Sequence, residues 1–255
     1  MGLFSGKKGM VLGVANDFSI AWAISQKLLA EGAEIGFTHL PGEKMERRVR
    51  KLVDPIGARL VTPCDVQKDD DVARVFREAQ QTYGALDFVL HSIAFAPKDD
   101  LQGGLLNCSA EGFAKAMDIS CHSFVRMAKL AAPLMTEGGS MFAMSYYGAN
   151  RVVPNYNVMG PVKAALEAAC RYLAYELGPS GIRVHAISPG PLKTRAASGL
   201  KDFELLLNEA AAKSPIGELA DIMDVGFACA YLATPFAHRI TGGTVYVDGG
   251  ANIVA

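Results

Sequence analysis

The chain has 255 residues, a net charge of −1 and a hydrophobic fraction of 50%. That length supports one large core, the near-neutral balance argues against a nucleic-acid footprint, and no apolar run reaches the ~18 residues needed to span a bilayer. Residues 1–8 contain no apolar core of a secretion signal, and Gly6 stands where a myristoylation pattern requires Ser or Thr. Cys64, Cys108, Cys121, Cys170 and Cys229 are odd in number and widely spaced. That is the usage expected of free or buried thiols in a reducing cytoplasm.

In chain order, a short apolar strand at 9–14 precedes a helical stretch at 20–31, a strand at 35–38 and a charged amphipathic helix at 43–56. Next come a strand at 59–62, a helix at 68–83 and a strand at 88–91. A long helix spans 110–135, then a strand 140–144, a helix 155–177, a strand 182–187 and a last strand 244–247. Alternation of this kind predicts a single α/β domain over 1–255, doubly wound in the Rossmann manner, with a parallel sheet of about seven strands and helices on both faces. No linker, repeat or low-complexity segment divides it.

Two places in this frame point to chemistry. The turn after the first strand reads Gly13-Val14-Ala15-Asn16-Asp17-Phe18-Ser19-Ile20-Ala21. In a doubly wound sheet it lies where a pyrophosphate meets a helix N-terminus. Gly13 permits close backbone approach, and Ser19 either donates a hydroxyl to phosphate or simply caps the helix. The G-x-G-x-x-G fingerprint is missing. The second place is Tyr156 and Lys163, seven residues apart. On one helix, seven steps fall about 20° short of two full turns, so both side chains could share one face, about 10 Å apart along the axis. A phenol can donate to a developing oxyanion, while an ammonium can lower the phenol's pKa and hold a sugar hydroxyl. Tyr and Lys are also common on helix surfaces, so the pair alone does not define a site. His91, His122 and His185 lack metal-ligand spacing and read as packing or hydrogen-bonding residues. Asp248-Gly249-Gly250 reads as a turn after the last strand.

Gly13-x5-Ser19-x-Ala21 with Tyr156-x2-Met159-x3-Lys163 resembles the divergent branch of the short-chain dehydrogenase/reductases, whose ordinary members place Tyr and Lys four apart. The likeness is closer to the bacterial enoyl-acyl-carrier-protein reductases of the FabI type. It runs through Cys64-Asp65-Val66, His91-Ser92-Ile93-Ala94-Phe95-Ala96-Pro97, Ser145-Tyr146, Pro154-Asn155-Tyr156-Asn157-Val158-Met159-Gly160, Ala186-Ile187-Ser188-Pro189-Gly190-Pro191 and Val247-Asp248-Gly249-Gly250.

The resemblance implies a cytoplasmic oxidoreductase of fatty acid biosynthesis. It would reduce the trans-2 double bond of enoyl-acyl-carrier-protein thioesters with a nicotinamide cofactor, and work as a homotetramer. Gly13, Ser19 and Ile20 would line the pyrophosphate and adenosine side, and Asp65 and Val66 would hold the adenine. Ser92, Ile93 and Ala94 would border the adenosine ribose and nicotinamide. Lys163 would hold the nicotinamide ribose, with Leu192, Thr194 and Ala196 flanking nicotinamide and pyrophosphate. Tyr156 would face the thioester carbonyl, and Tyr146 would be a second phenol unless Tyr147 takes its place. Ala96 and Met159 would touch the substrate.

Some positions depart from the pattern. Leu40 stands at the cofactor-selecting position after the second strand, where relatives often carry Gln, and no acidic residue follows the strand to bind the 2′-hydroxyl. NADH is favoured because no basic residue follows immediately either; Lys44, Arg47 and Arg48 on the next helix leave NADPH possible. Ala94 replaces a glycine of close relatives. Residues 192–213 read as a mobile substrate lid, with Gly199 and small side chains permitting motion and Lys193, Arg195 and Lys201 offering charge to an acidic carrier. Another short-chain oxidoreductase acting on a ketone or alcohol is the alternative, and a non-catalytic nucleotide sensor a remoter one.

Overall fold

The computed structural model describes residues 2–102, 104–192 and 203–254. Seven strands form one parallel sheet. They are β1 (Lys8–Leu12), β2 (Glu34–His39), β3 (Val61–Pro63), β4 (Phe88–His91), β5 (Gly139–Met144), β6 (Ile182–Pro189) and β7 (Thr244–Val247). Their order is β3-β2-β1-β4-β5-β6-β7. The chain runs outward from β1 to β3 and then returns to build the other half from β4. The crevice between the C-terminal ends of β1 and β4 is therefore the topological switch point, where open α/β sheets bind ligands.

The helices are α1 (Ile20–Ala30), α2 (Glu43–Val53), α3 (Asp69–Tyr83), α4 (Lys98–Gln102), α5 (Ala110–Met117), α6 (Ser123–Ala131), α7 (Met159–Leu177), α8 (Phe203–Lys213) and α9 (Ile222–Ala233). Two cores result, one on each sheet face. Met10 and Leu12 of β1 point into a core shared with α3, α6 and α7; the intervening Val11 points into the core of α1, α2 and α9. The strands are apolar on both faces because helices cover both.

Three expectations change. The helix expected at 110–135 is interrupted by a π turn at Asp118–His122 and finishes as the short 3₁₀ turn Ala132–Leu134. The helix expected from 155 begins at Met159, because Asn155 (φ 64°) and Asn157 (φ 43°) take left-handed backbone conformations that a right-handed helix excludes. Finally, α9 is an element the alternation does not predict, although Asp221 and Asp224 form a reciprocal cap at its N-terminus. Asp248 closes the turn after β7 as expected, accepting from the backbone N–H groups of Gly250 and Asn252, both at 2.9 Å.

Candidate active site

A cavity of about 760 Å³ opens at the switch point. Gly13, Ile20, Leu40, Asp65, Val66, Ser92, Ile93, Ala94, Ala96, Tyr146, Tyr156, Met159, Lys163 and Leu192 all line it. Ser19 does not: its hydroxyl donates to the Asn16 carbonyl at 2.6 Å and makes no cap bond to α1. Thr194, Ala196, Lys193, Arg195 and Lys201 lie outside the described residues. From α8, Leu206 closes part of the wall.

The end of the cavity around Gly13 and Asp65 is built by loops. Gly13 sits at φ 114°, and a Cβ there would lie 2.1 Å from the Ser92 carbonyl oxygen, so only glycine lets the β1 and β4 loops meet. Asp65 accepts from the Gln67 N–H at 3.1 Å, which makes it a turn residue as well as a cavity wall. The loop is fixed from behind. The Asp65 N–H donates to Asp71 at 2.9 Å, Arg74 donates to Thr62 and to the Pro63 carbonyl, both at 2.6 Å, and Arg126 donates to the Val66 carbonyl at 2.7 Å. No motif flags Asp71, Arg74 or Arg126; the last meets its partner across 60 residues of sequence.

At the other end stand two phenols and an ammonium. Tyr156 lies in the turn before α7, so it shares no helical face with Lys163, although both reach the same cavity. The rings of Tyr146 and Tyr156 meet edge to face with centroids 4.9 Å apart. Tyr147 packs on the outer side of Tyr146 at 5.8 Å and does not line the cavity. Gly148 is the floor beneath Tyr156: a Cβ there would come within 2.6 Å of the ring. The Asn157 side chain ties this turn to the Leu101 carbonyl.

Lys163 is buried at 4% exposure and donates to the Met144 carbonyl at 2.6 Å. Burial lowers its pKa to about 8. Burial pushes the Tyr156 phenol far above its usual value, with Tyr146 and Glu167 adding to the effect. The expected lowering of the phenol by Lys163 is not found: burial, Tyr146 and Glu167 all raise it, and Lys163 is not among the groups that shift it. Tyr146 is likewise raised, by burial and by Tyr147. Both phenols therefore keep their protons and act as donors. One helical turn beyond Lys163, the buried Glu167 carboxylate accepts from Ser145 at 2.6 Å and Asn150 at 3.1 Å, steadying the segment that carries Tyr146. His91 accounts for itself structurally. Its Nε2 lies 2.7 Å from the Ser123 hydroxyl, whose one hydrogen goes to the Ile119 carbonyl at 2.6 Å, so Nε2 carries the proton; burial lowers the ring's pKa to about 3, so it is neutral.

A doubly wound sheet with a large cavity at its switch point, walled by glycine, a carboxylate, an ammonium and protonated phenols, has the layout of a dinucleotide-dependent oxidoreductase. Similarity to known proteins narrows this class. The model of the family described as enoyl-(acyl carrier protein) reductase matches residues 13–252. An enoyl-[acyl-carrier-protein] reductase [NADH] from Rhizobium meliloti is 44% identical over 254 residues, covering 100% of this chain and 94% of that protein. The corresponding FabI enzyme of Salmonella typhimurium is 44% identical over 256 residues, covering 100% and 97%. Among solved structures, the NADH enzyme of Aquifex aeolicus superposes with a TM-score of 0.95 at 43% identity, each chain covered in full. The Bacillus cereus enoyl-acyl carrier protein reductase, solved with NADP+ and an indole naphthyridinone, gives 0.97 at 42% identity, again with full coverage. The chain belongs to the enoyl-acyl-carrier-protein reductase family.

Proposed function

We propose that this chain reduces the trans-2 double bond of enoyl-acyl-carrier-protein thioesters in fatty acid elongation, using NADH. The observation that carries the reading is the convergence of a half-buried, protonated Tyr156 and a buried Lys163 on one cavity whose far end is walled by Asp65 and Val66. The donor set fits a nicotinamide dinucleotide: a carboxylate for an exocyclic amine, glycine at a pyrophosphate turn and an ammonium for ribose hydroxyls. Gly13, Ile20, Leu40, Asp65, Val66, Ser92, Ile93, Ala94 and Leu192 would hold that cofactor, with Ser19, Thr194 and Ala196 as the remaining family positions. Bound there, it supplies a hydride to the substrate β-carbon.

The protein's own part is orientation and electrostatics. As charge moves onto the thioester oxygen, the Tyr156 hydroxyl donates to it; a phenol held protonated by burial keeps that hydrogen available. Tyr146 packs edge-on and limits where the Tyr156 ring can stand. The Lys163 ammonium, already fixed by the Met144 carbonyl, has two hydrogens left for ribose hydroxyls. Ala96 and Met159 face the acyl chain.

Leu40, exposed at the cavity edge, offers no charge to a 2′-phosphate, which supports NADH over NADPH. The carrier partner would approach over the 192–213 segment, read as the substrate lid. A homotetramer is supported by exposed aromatic side chains on two helices: Tyr172 and Tyr175 on α7, Phe227 and Tyr231 on α9. Light scattering tests that assembly. A cytoplasmic site of action is supported by five free cysteines.

The deciding experiment monitors NADH and NADPH oxidation side by side with crotonyl and acetoacetyl thioesters. NADH consumption with crotonyl thioester alone is expected. Turnover of only the keto substrate would overturn the reading in favour of a ketone reductase.

A further inference from the structure

The loop between β4 and α4, residues 92–97, has no regular secondary structure, yet it carries Ala94, Phe95 and Ala96 along the cavity wall. Backbone groups in such a loop need partners from elsewhere. One hydroxyl supplies both partners for the central residue. Ser120 Oγ accepts from the Phe95 N–H at 2.9 Å and donates to the Phe95 carbonyl at 3.0 Å. Ser120 is wholly buried, and it sits in the π turn that interrupts the α5–α6 stretch. Each residue inserted into a helix rotates the remainder of that helix by about 100°, so this turn decides which side chain faces the loop. Its neighbours in the turn are engaged elsewhere, since Asp118 pairs with Arg126, and the next serine, Ser123, bonds to His91.

We propose that Ser120 is a positioning residue that sets the substrate wall, locking Phe95 so that Ala96 holds the enoyl thioester at Tyr156. The proposal rests on the enoyl-thioester reading of the cavity. Serine suits this role because a hydroxyl donates and accepts at one atom. Alanine does neither, and a thiol does both weakly.

The test is Ser120→Ala in the full chain, with two independent readouts. Amide hydrogen exchange at Phe95 is expected to accelerate about tenfold, while β4 and α6 stay protected. The KM for crotonyl thioester is expected to rise about tenfold, with NADH affinity and kcat changed less than about twofold. Unchanged protection at Phe95, or an unchanged KM in the folded variant, would overturn the proposal. So would uniformly faster exchange with a lower Tm and no KM effect, the signature of a merely structural serine. If the alanine variant does not fold, Ser120→Cys keeps the volume and weakens both bonds, and is read by the same two measurements. Failure of the wild-type protein to reduce crotonyl thioester would instead reject the substrate reading, and the Phe95 exchange result would still stand by itself.

Discussion

Replacing Gly148 by alanine gives the sharpest test of the geometry at Tyr156. The added Cβ would stand 2.6 Å from Tyr156 Cδ1 and 2.9 Å from Cε1, and 3.4 Å from the Tyr146 ring. Carbon atoms rest at about 3.5–4.0 Å, so the Tyr156 ring must retreat by about 1 Å. It cannot do so by rotating a loose terminus: the contact is made by the body of the ring, and Tyr146 occupies the edge beside it. A misplacement of about 1 Å at a reacting group can cost about a hundredfold in rate. The expected result is a fall of about tenfold to a hundredfold in kcat/KM for an enoyl thioester, with NADH affinity nearly unchanged because Lys163 and Asp65 are not touched. The assay is steady-state NADH oxidation combined with fluorescence titration of the cofactor. Because the effect acts through the phenol, Gly148→Ala added to Tyr156→Phe should cost much less than it does alone. Wild-type kcat/KM in a folded Gly148→Ala protein, or full additivity with Tyr156→Phe, would refute the reasoning.

Tyr156→Phe should fold and bind NADH but turn over about a hundredfold more slowly, since one oxyanion donor is worth about 3 kcal/mol; wild-type turnover, read by single-turnover kinetics, would remove the phenol from the chemistry. Lys163→Met should weaken NADH binding in a fluorescence titration, and unchanged affinity would remove Lys163 from the ribose site. The Lys163 pKa is lowered from its usual 10.5 to about 8, so NADH affinity should decline as pH rises through about 8 and the ammonium is lost. That limb should be missing in Lys163→Met. The same shift has a stability consequence: between about pH 8 and 10.5 the unfolded chain holds a proton that the folded chain has released, so this residue's contribution to stability rises with pH across that window. Urea titrations of wild type and Lys163→Met at pH 7.5 and 9.5 measure it.

The strand–helix alternation, the single parallel sheet and the identity of most of the cavity wall are legible in the amino-acid order. Those features are local: apolar runs of strand length between amphipathic stretches, and short motifs at strand ends. The chain order of the motifs then places Gly13, Asp65, Ser92 and Ser145 just after the ends of β1, β3, β4 and β5. How the wall is held is a property of the packed chain. Arg126 meets the Val66 carbonyl, Ser120 meets Phe95, and Glu167 meets Ser145 across 60, 25 and 22 residues, and no local pattern announces such pairs. Packing also takes Tyr156 out of the helix. The spacing to Lys163 suggests a shared helical face, but two asparagines in left-handed conformation swing the phenol into the cavity from a turn. The protonation of that phenol is settled the same way. Burial favours the neutral form, and burial belongs to the packed fold rather than to any stretch of sequence.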